Sequence, residues 1–410
     1  MVNNNKFFRI AVDAVPGSLK SPRNYGALQL ASLGALPPRT PLSTPLPNVS
    51  IEGGCDIKVQ DEEHTYILSP KANKNCELNK ISGKDYLSGL IYLASKDILV
   101  RHLIMSNAKL ELTPDGSAMI RFQDRMPAFE GLLSSPAWIP FRADKWPGAR
   151  QICEIAPNRW EAFCPYNSIP PILIEVVRNP EENITLYEKG IINQTADTAT
   201  PFNSTALVNG QRIVKKTPLR SVLVFSGELI GDDKKSLRKE IKNILKEANC
   251  GEHVGWAKAS TPSDDPVPLK NLIPLDWSPI ASKNGLLLAF SDYYPNATVA
   301  WSIAMTLHKN GIPCTPVSDS YSNPKVKAAM RLLIISGPTD DAWGRYASLM
   351  LCPAWRNESE AQQLYFNTLK SPMFSNPHRR LLDHLLDDIC PSVTIGAIPS
   401  ICLSNINLQD

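Results

Sequence analysis

Proline is spread along the whole chain, 35 times in 410 residues, about one position in twelve where ordinary domains have about one in twenty. Each proline removes a backbone donor and biases the residue before it away from the α region, which leaves little room for long uninterrupted helices. A mixed α/β chain with much irregular connection is the expected outcome. At 410 residues the chain also exceeds what one core organises, so two or more units are expected.

Charge narrows the function classes. Forty-three Lys and Arg stand against 40 Asp and Glu, a net charge of +3, which excludes nucleic-acid recognition driven by a strong positive field. The apolar share of 43% and charged share of 20% are those of a globular chain. No apolar run reaches the length of about 18 residues that a membrane span needs. At the start, Arg9 interrupts the apolar stretch after Phe7 and Phe8 that a secretory signal requires. As written, a cytoplasmic location is expected, or a periplasmic one if an export signal has been removed.

Nine cysteines stand at 55, 76, 153, 164, 250, 314, 352, 390 and 402, with no CxxC pair. Reduced, buried thiols are the expected state, with no metal site and no cofactor. Six Asn-x-Ser/Thr sequons, at 48, 183, 193, 203, 296 and 357, read as chance in an Asn-rich chain.

Patterning sets the elements. Phe8–Val12 reads as a strand closed by Pro16 and Gly17, and 26–36 has helical spacing ended by Pro37 and Pro38. After the proline-rich stretch 38–48, Cys55–Val59 and Thr65–Leu68 alternate like a hairpin. Lys84–Leu99 predicts an amphipathic helix with Tyr86, Leu87, Leu90, Ile91, Ala94 and Ile98 on one face. Leu110–Leu112 and Ala118–Phe122 flank the turn residues Pro114, Asp115 and Gly116. A Pro- and Trp-rich loop over 134–150 precedes a strand at Ile172–Val177. After Lys215 the order becomes strand Ser221–Phe225, helix 233–249, strand Leu286–Ser291, helix 297–309, strand Arg331–Ile335, helix 377–390 and strand Val393–Ile395 closed by Gly396. A boundary is expected near 216–220.

No nucleophile elbow, zinc-protease, Walker or dinucleotide motif occurs, so no catalytic residue is assigned. His378, His384, Asp387 and Asp388 gather near the last helix and read as a polar helix face. Asp340 and Asp341 leave an apolar strand where the chain opens, with Trp343 and Arg345 behind them. Such carboxylates either face a cleft or cap a helix beginning near 343. Trp138 and Trp146 sit in Pro-rich loops, where tryptophan either lines a binding surface or anchors the loop on the core.

These landmarks, in order, resemble the family 5 extracytoplasmic solute-binding proteins, the peptide- and nickel-binding components of ABC importers. The resemblance runs through RIAVDAVPGSL (9–19), HTYILSPKANKNCELNKISGKDYLSGLIYL (64–93), AMIRFQDRMPAFEGLLSSPAWIPF (118–141), LRSVLVFSGELIGDDKKSLRKEIKNIL (219–245) and LLLAFSDYYPNATVAWSIAMTLHKNGIPCTPV (286–317). Ser226 stands where the family usually has Asn, and Trp343-Gly344 where it usually has Asp-Pro.

The resemblance implies an α/β, two-lobed periplasmic-binding-protein-like fold of type 2, cluster C-like, with a hinge and an interlobe ligand cleft. The lobes it implies are 1–217 and 218–389, with 390–410 returning to the first lobe or to the hinge. It implies a peptide or peptide-like ligand, ABC permease subunits as partners, and a monomer. Asp340 matches the family's partner for the ligand's α-ammonium, with Asp341 beside it. Trp138 and Trp343 are the expected apolar walls, and Arg345 the expected carboxylate partner. A cytosolic sensor, or an enzyme built on the same cleft, is the alternative use of such a fold.

Overall fold

A computed structural model describes residues 7–12, 37–40, 53–71, 81–105, 107–126, 128–135, 138–141, 151–163, 171–196, 212–215, 219–226, 229, 232–256, 258, 285–291, 295–320, 325–335 and 392–404. In chain order, β1 (Phe8–Val12) precedes β2 (Cys55–Gln60), β3 (Thr65–Pro70), α1 (Gly83–Lys96), α2 (Ile98–Met105), β4 (Ala108–Leu112), β5 (Ala118–Phe122) and α3 (Ala128–Leu133). Then come β6 (Gln151–Ala156), β7 (Arg159–Phe163), β8 (Ile172–Val176), α4 (Pro180–Glu188) and β9 (Arg212–Lys215). The remainder is β10 (Arg220–Phe225), α5 (Lys235–Glu247), β11 (Leu286–Ser291), α6 (Asn296–Lys309), β12 (Cys314–Asp319), β13 (Met330–Ile335), β14 (Ser392–Ala397) and β15 (Ser400–Leu403).

Local chemistry fixes the boundaries. Helix α1 starts because the Asp85 carboxylate accepts the Ser82 N–H at 2.8 Å and the Ser82 hydroxyl at 2.9 Å, a capping box. It stops sooner than its apolar periodicity predicts. Asp97 turns extended, donates its N–H to Leu93, and accepts the Val100 N–H on its own carboxylate at 3.1 Å. One aspartate thus closes α1 and opens α2, dividing the helix expected over 84–99. Between β4 and β5 the Pro-Asp-Gly turn forms as expected, with Gly116 at φ 82°.

Several elements escaped the sequence reading, among them α3, β9, β15, the β6–β7 hairpin and α4. The β6–β7 hairpin lies at the edge of its sheet, where 153–156 are exposed, so no apolar alternation marks it. Helix α4 carries good start signals, Asn179 at the cap, Pro180, then Glu181 and Glu182 in the first turn. Gly396 does not close the last strand either. It lies within β14, beside a register shift against β10.

Four sheets result. β2, β3, β5 and β4 form an antiparallel sheet, in the order β2-β3-β5-β4, over α1 and α3. Its core includes an aromatic chain, Tyr66 to Phe129 at 4.8 Å, Phe122 to Phe129 at 5.0 Å and Phe129 to Trp138 at 5.5 Å between ring centres. A second sheet runs β1-β8-β7-β6, with β1 and β8 parallel. The short pair β15-β9 joins it through Gln194, which bridges to Ile10 and Ser404. The largest has the order β12-β11-β13-β10-β14. Its strand β10 is buried along its whole length. Leu223 and Phe225 belong to the core built with α5 and α6, and the alternate Val222 and Val224 to the other large core.

Two sequons are structural. Asn183 is fully buried, donating to the Val177 carbonyl at 2.8 Å and accepting the Ala196 N–H at 3.1 Å. Asn296 is likewise 1% exposed. Among the described residues Cys55, Cys250, Cys314 and Cys402 are buried and Cys153 is exposed, none of them in a disulfide. Burial pushes the Cys55 and Cys314 thiols up to about 12.

Candidate functional site

The five-stranded sheet has a polarity that singles out one edge. β11, β12 and β13 are parallel, with β11 in the middle. From β11 the chain moves through α6 to β12 on one side, then passes back to β13 on the other. The strand order therefore reverses at β11, and the carboxyl ends of β11 and β13 are the place where a topological switch point would open a crevice. Doubly wound sheets hold ligands at such a crevice, because loop ends separate there and helix amino ends point into it.

Ser291 and Asp319 end β11 and β12 in register at this edge. Ile335 ends β13 opposite Arg220, and Ala397 ends β14 opposite the same Arg220. Arg220 is 4% exposed and its Nη1 donates to the Leu219 carbonyl at 2.9 Å. The two strands that connect this sheet to β9 and β15 leave here together, tied by the Ile398 N–H donating to the Leu219 carbonyl at 3.1 Å.

The carboxylate of Asp319 organises the edge at β12. It accepts the N–H groups of Ser320 at 2.9 Å, Lys325 at 3.0 Å and Val326 at 3.1 Å, and Arg331 Nη1 at 2.8 Å. The Lys325 N–H above all, with Arg331 and the other two N–H groups, holds this carboxyl down at about 2. Ser226, which replaces the family's usual Asn, donates its hydroxyl to the Ala328 carbonyl at 2.6 Å. Arg238 on α5 donates to the Leu229 carbonyl, fixing the segment after β10.

Asp340, Asp341, Trp343 and Arg345 follow β13 and lie outside the described residues, as do His378, His384, Asp387, Asp388 and Trp146. Trp138 is placed, and it corrects the expectation of an apolar wall. Its indole is fully buried against Phe129, and its Nε1 donates to the Tyr86 carbonyl at 3.0 Å. It anchors the 138–141 segment on α1, because a large ring with one donor is best satisfied inside the core. Next to it Gly89 allows the close approach, since a Cβ there would stand 2.0 Å from the Ile139 oxygen. Asp319 and Asn296 were not singled out by sequence as site residues. Their one signal was position, at the end of a strand and at the start of the helix after a strand. Among the described residues no group of three candidate metal ligands forms, and no helix is long and apolar enough to cross a membrane.

No protein-family model matches the chain, and no curated protein matches it by sequence. Solved structures do match it along nearly its full length. NikA from Staphylococcus aureus, in complex with Ni(L-His)2, superposes with a TM-score of 0.72 at 14% identity, covering 97% of this chain and 94% of that one. The periplasmic oligopeptide-binding protein OppAIV from Borrelia burgdorferi gives 0.73 at 12% identity, covering 97% and 95%. The periplasmic binding protein DppA from Helicobacter pylori, in complex with the peptide STSA, gives 0.69 at 12%, covering 99% and 96%. These are two-lobed binding proteins of mixed α/β content. The chain has the two-lobed α/β fold of the family 5 solute-binding proteins.

Proposed function

We propose that this chain binds a peptide or peptide-like small molecule between two lobes and delivers it to the permease subunits of an ABC importer. The observation that carries this reading is the shared fold, over 97% or more of the chain, with structures named as oligopeptide- and peptide-binding proteins. In this reading the first lobe is 1–217 and the second is 218–389, with 390–410 crossing back, since β14 still pairs with β10 and β15 pairs with β9. The paired Leu219 and Ile398 lie at the two crossings between them and support a hinge there. A location outside the cytoplasmic membrane follows from the importer role, as for the periplasmic proteins among the neighbours.

The ligand lies in the crevice at the carboxyl edge of β11 and β13. Asp340 pairs with the ligand's α-ammonium, with Asp341 as its neighbour, Trp343 as an apolar wall and Arg345 as partner to a carboxylate. A carboxylate shielded by closing lobes gains from the lower effective dielectric. No covalent chemistry is part of the proposal.

A thermal-shift screen with di- to pentapeptides tests it. A ligand at a hundred times its Kd stabilises by about 2.7 kcal/mol, a clear rise in the unfolding midpoint. A flat response to every peptide at millimolar concentration would remove the peptide reading. Turnover of a bound peptide, seen by mass spectrometry, would replace it with an enzyme.

A further inference from the structure

The amino end of α6 combines two features that point to the same occupant. The helix begins at Asn296, after Pro295, which offers no side-chain cap, and it has no acidic residue in its first turn. Its first i to i−4 bond joins the Val299 N–H to the Pro295 carbonyl at 3.2 Å. The N–H groups of Asn296, Ala297 and Thr298 therefore point beyond the helix end, where the helix dipole is positive.

The second feature is Asn296 itself. The residue is 1% exposed, and its Oδ1 has no hydrogen-bond partner. Side chains in a helix lean toward its amino end, so this acceptor projects past the first turn, beside the N–H donors. The contrast with two other asparagines is direct. Asn179 accepts from the Glu181 N–H at 2.8 Å, and Asn183 is bonded through both its amide nitrogen and its oxygen. A buried polar atom left unpaired in a folded protein asks for a partner from elsewhere.

Both features sit at the switch point, because α6 begins at Asn296, five residues after β11 ends at Ser291. We propose that the first turn of α6 together with Asn296 is a subsite for one peptide unit of the ligand. The ligand carbonyl accepts from the free N–H groups, and its N–H donates to Asn296 Oδ1. Few small groups answer both demands. A carboxylate would serve the N–H groups and leave Oδ1 unpaired, and an ammonium would serve Oδ1 while facing the positive helix end. The subsite rests on the peptide-binding reading, and adds a contact for the ligand's backbone to the one proposed for its ammonium.

The test is a titration of 15N-labelled protein with dialanine, trialanine and tetraalanine, following the backbone amides of 296–298 and the Asn296 side chain. Saturable shifts of these resonances are expected, and they persist when the peptides are C-terminally amidated. Asn296→Ala is expected to weaken alanine-peptide binding about tenfold while the melting midpoint of the free protein holds or rises, since an unpaired oxygen is removed. Peptides that raise the midpoint yet leave 296–298 unmoved would overturn the subsite alone. Loss of the shifts on amidation would do the same, by showing a carboxylate there. So would an Asn296→Ala protein that melts lower but binds as before, which is a structural role. Peptides that move no resonance anywhere would overturn the peptide-binding reading and this subsite with it.

Discussion

Arg331 on β13 donates from Nη1 to Asp319 at the end of β12, at 2.8 Å, and from Nη2 to the Val326 carbonyl, at 2.7 Å. One guanidinium thus ties two parallel strands and the connection between them. Parallel strands are usually joined by a helix whose apolar face covers the sheet. Here, across β11, a carboxylate that is 5% exposed gathers backbone N–H groups and an arginine.

That arrangement makes the fold sensitive to acid. The Asp319 carboxyl is held at about 2 against an ordinary 3.8, so it binds its proton more readily in the unfolded chain than in the folded one. Its stabilisation is complete above the ordinary value and is lost as pH falls toward 2. The melting midpoint of the wild type should therefore drop more steeply over that window than that of Asp319→Asn, which is expected to melt lower at neutral pH. Calorimetric scans of both proteins from pH 6 downward decide it, and parallel curves would leave Asp319 without this role.

Trp138 offers a stability test separable from binding. Trp138→Phe keeps an aromatic ring against Phe129 but loses the bond to the Tyr86 carbonyl, at a cost of about 1–2 kcal/mol. Trp138→Ala leaves a cavity in the core and is expected to cost about 3–5 kcal/mol. Denaturant unfolding measures both. Peptide affinity of the folded Phe variant should match the wild type, and a large loss of affinity without loss of stability would return Trp138 to the ligand wall.

Asp340→Asn separates recognition from helix capping. If Asp340 holds the ligand's ammonium, the change should weaken a free peptide about ten- to a hundredfold and the N-acetylated peptide much less. Asn caps a helix about as well as Asp, so a capping role predicts equal affinities before and after. Calorimetry on both peptides with both proteins gives the answer, and equal losses would turn attention to Asp341.

If the chain crosses between the proposed lobes near Leu219 and Ile398, binding should also bring the lobes together there. Small-angle scattering of the verified complex is expected to give a smaller radius of gyration than the free protein. A superposable profile would mean that the cleft is filled without closure.

Much of this architecture was legible because it rests on short-range chemistry. The turn at Asp115 and Gly116, the β-branched Ser221–Phe225 run and the amphipathic helices at 235–247 and 296–309 follow from neighbours within a few residues. The break at Asp97 was harder to see. The apolar period runs straight through it, and only the competition between capping and periodicity ends the helix.

The sequence by itself determined most of the elements and their order along the chain. Alternation, helical period, turn residues and charge are local, and each is written in adjacent positions. The tertiary structure decided which elements become neighbours, because strand pairing joins residues far apart in the chain. Only the sheet order β12-β11-β13 brings the carboxyl ends of β11 and β13 side by side. Only packing turned Trp138 from a loop residue into a core anchor, and set Asn296 with its unpaired oxygen at the head of α6. Burial and pairing depend on what folds over a residue, and that is not written beside it in the chain.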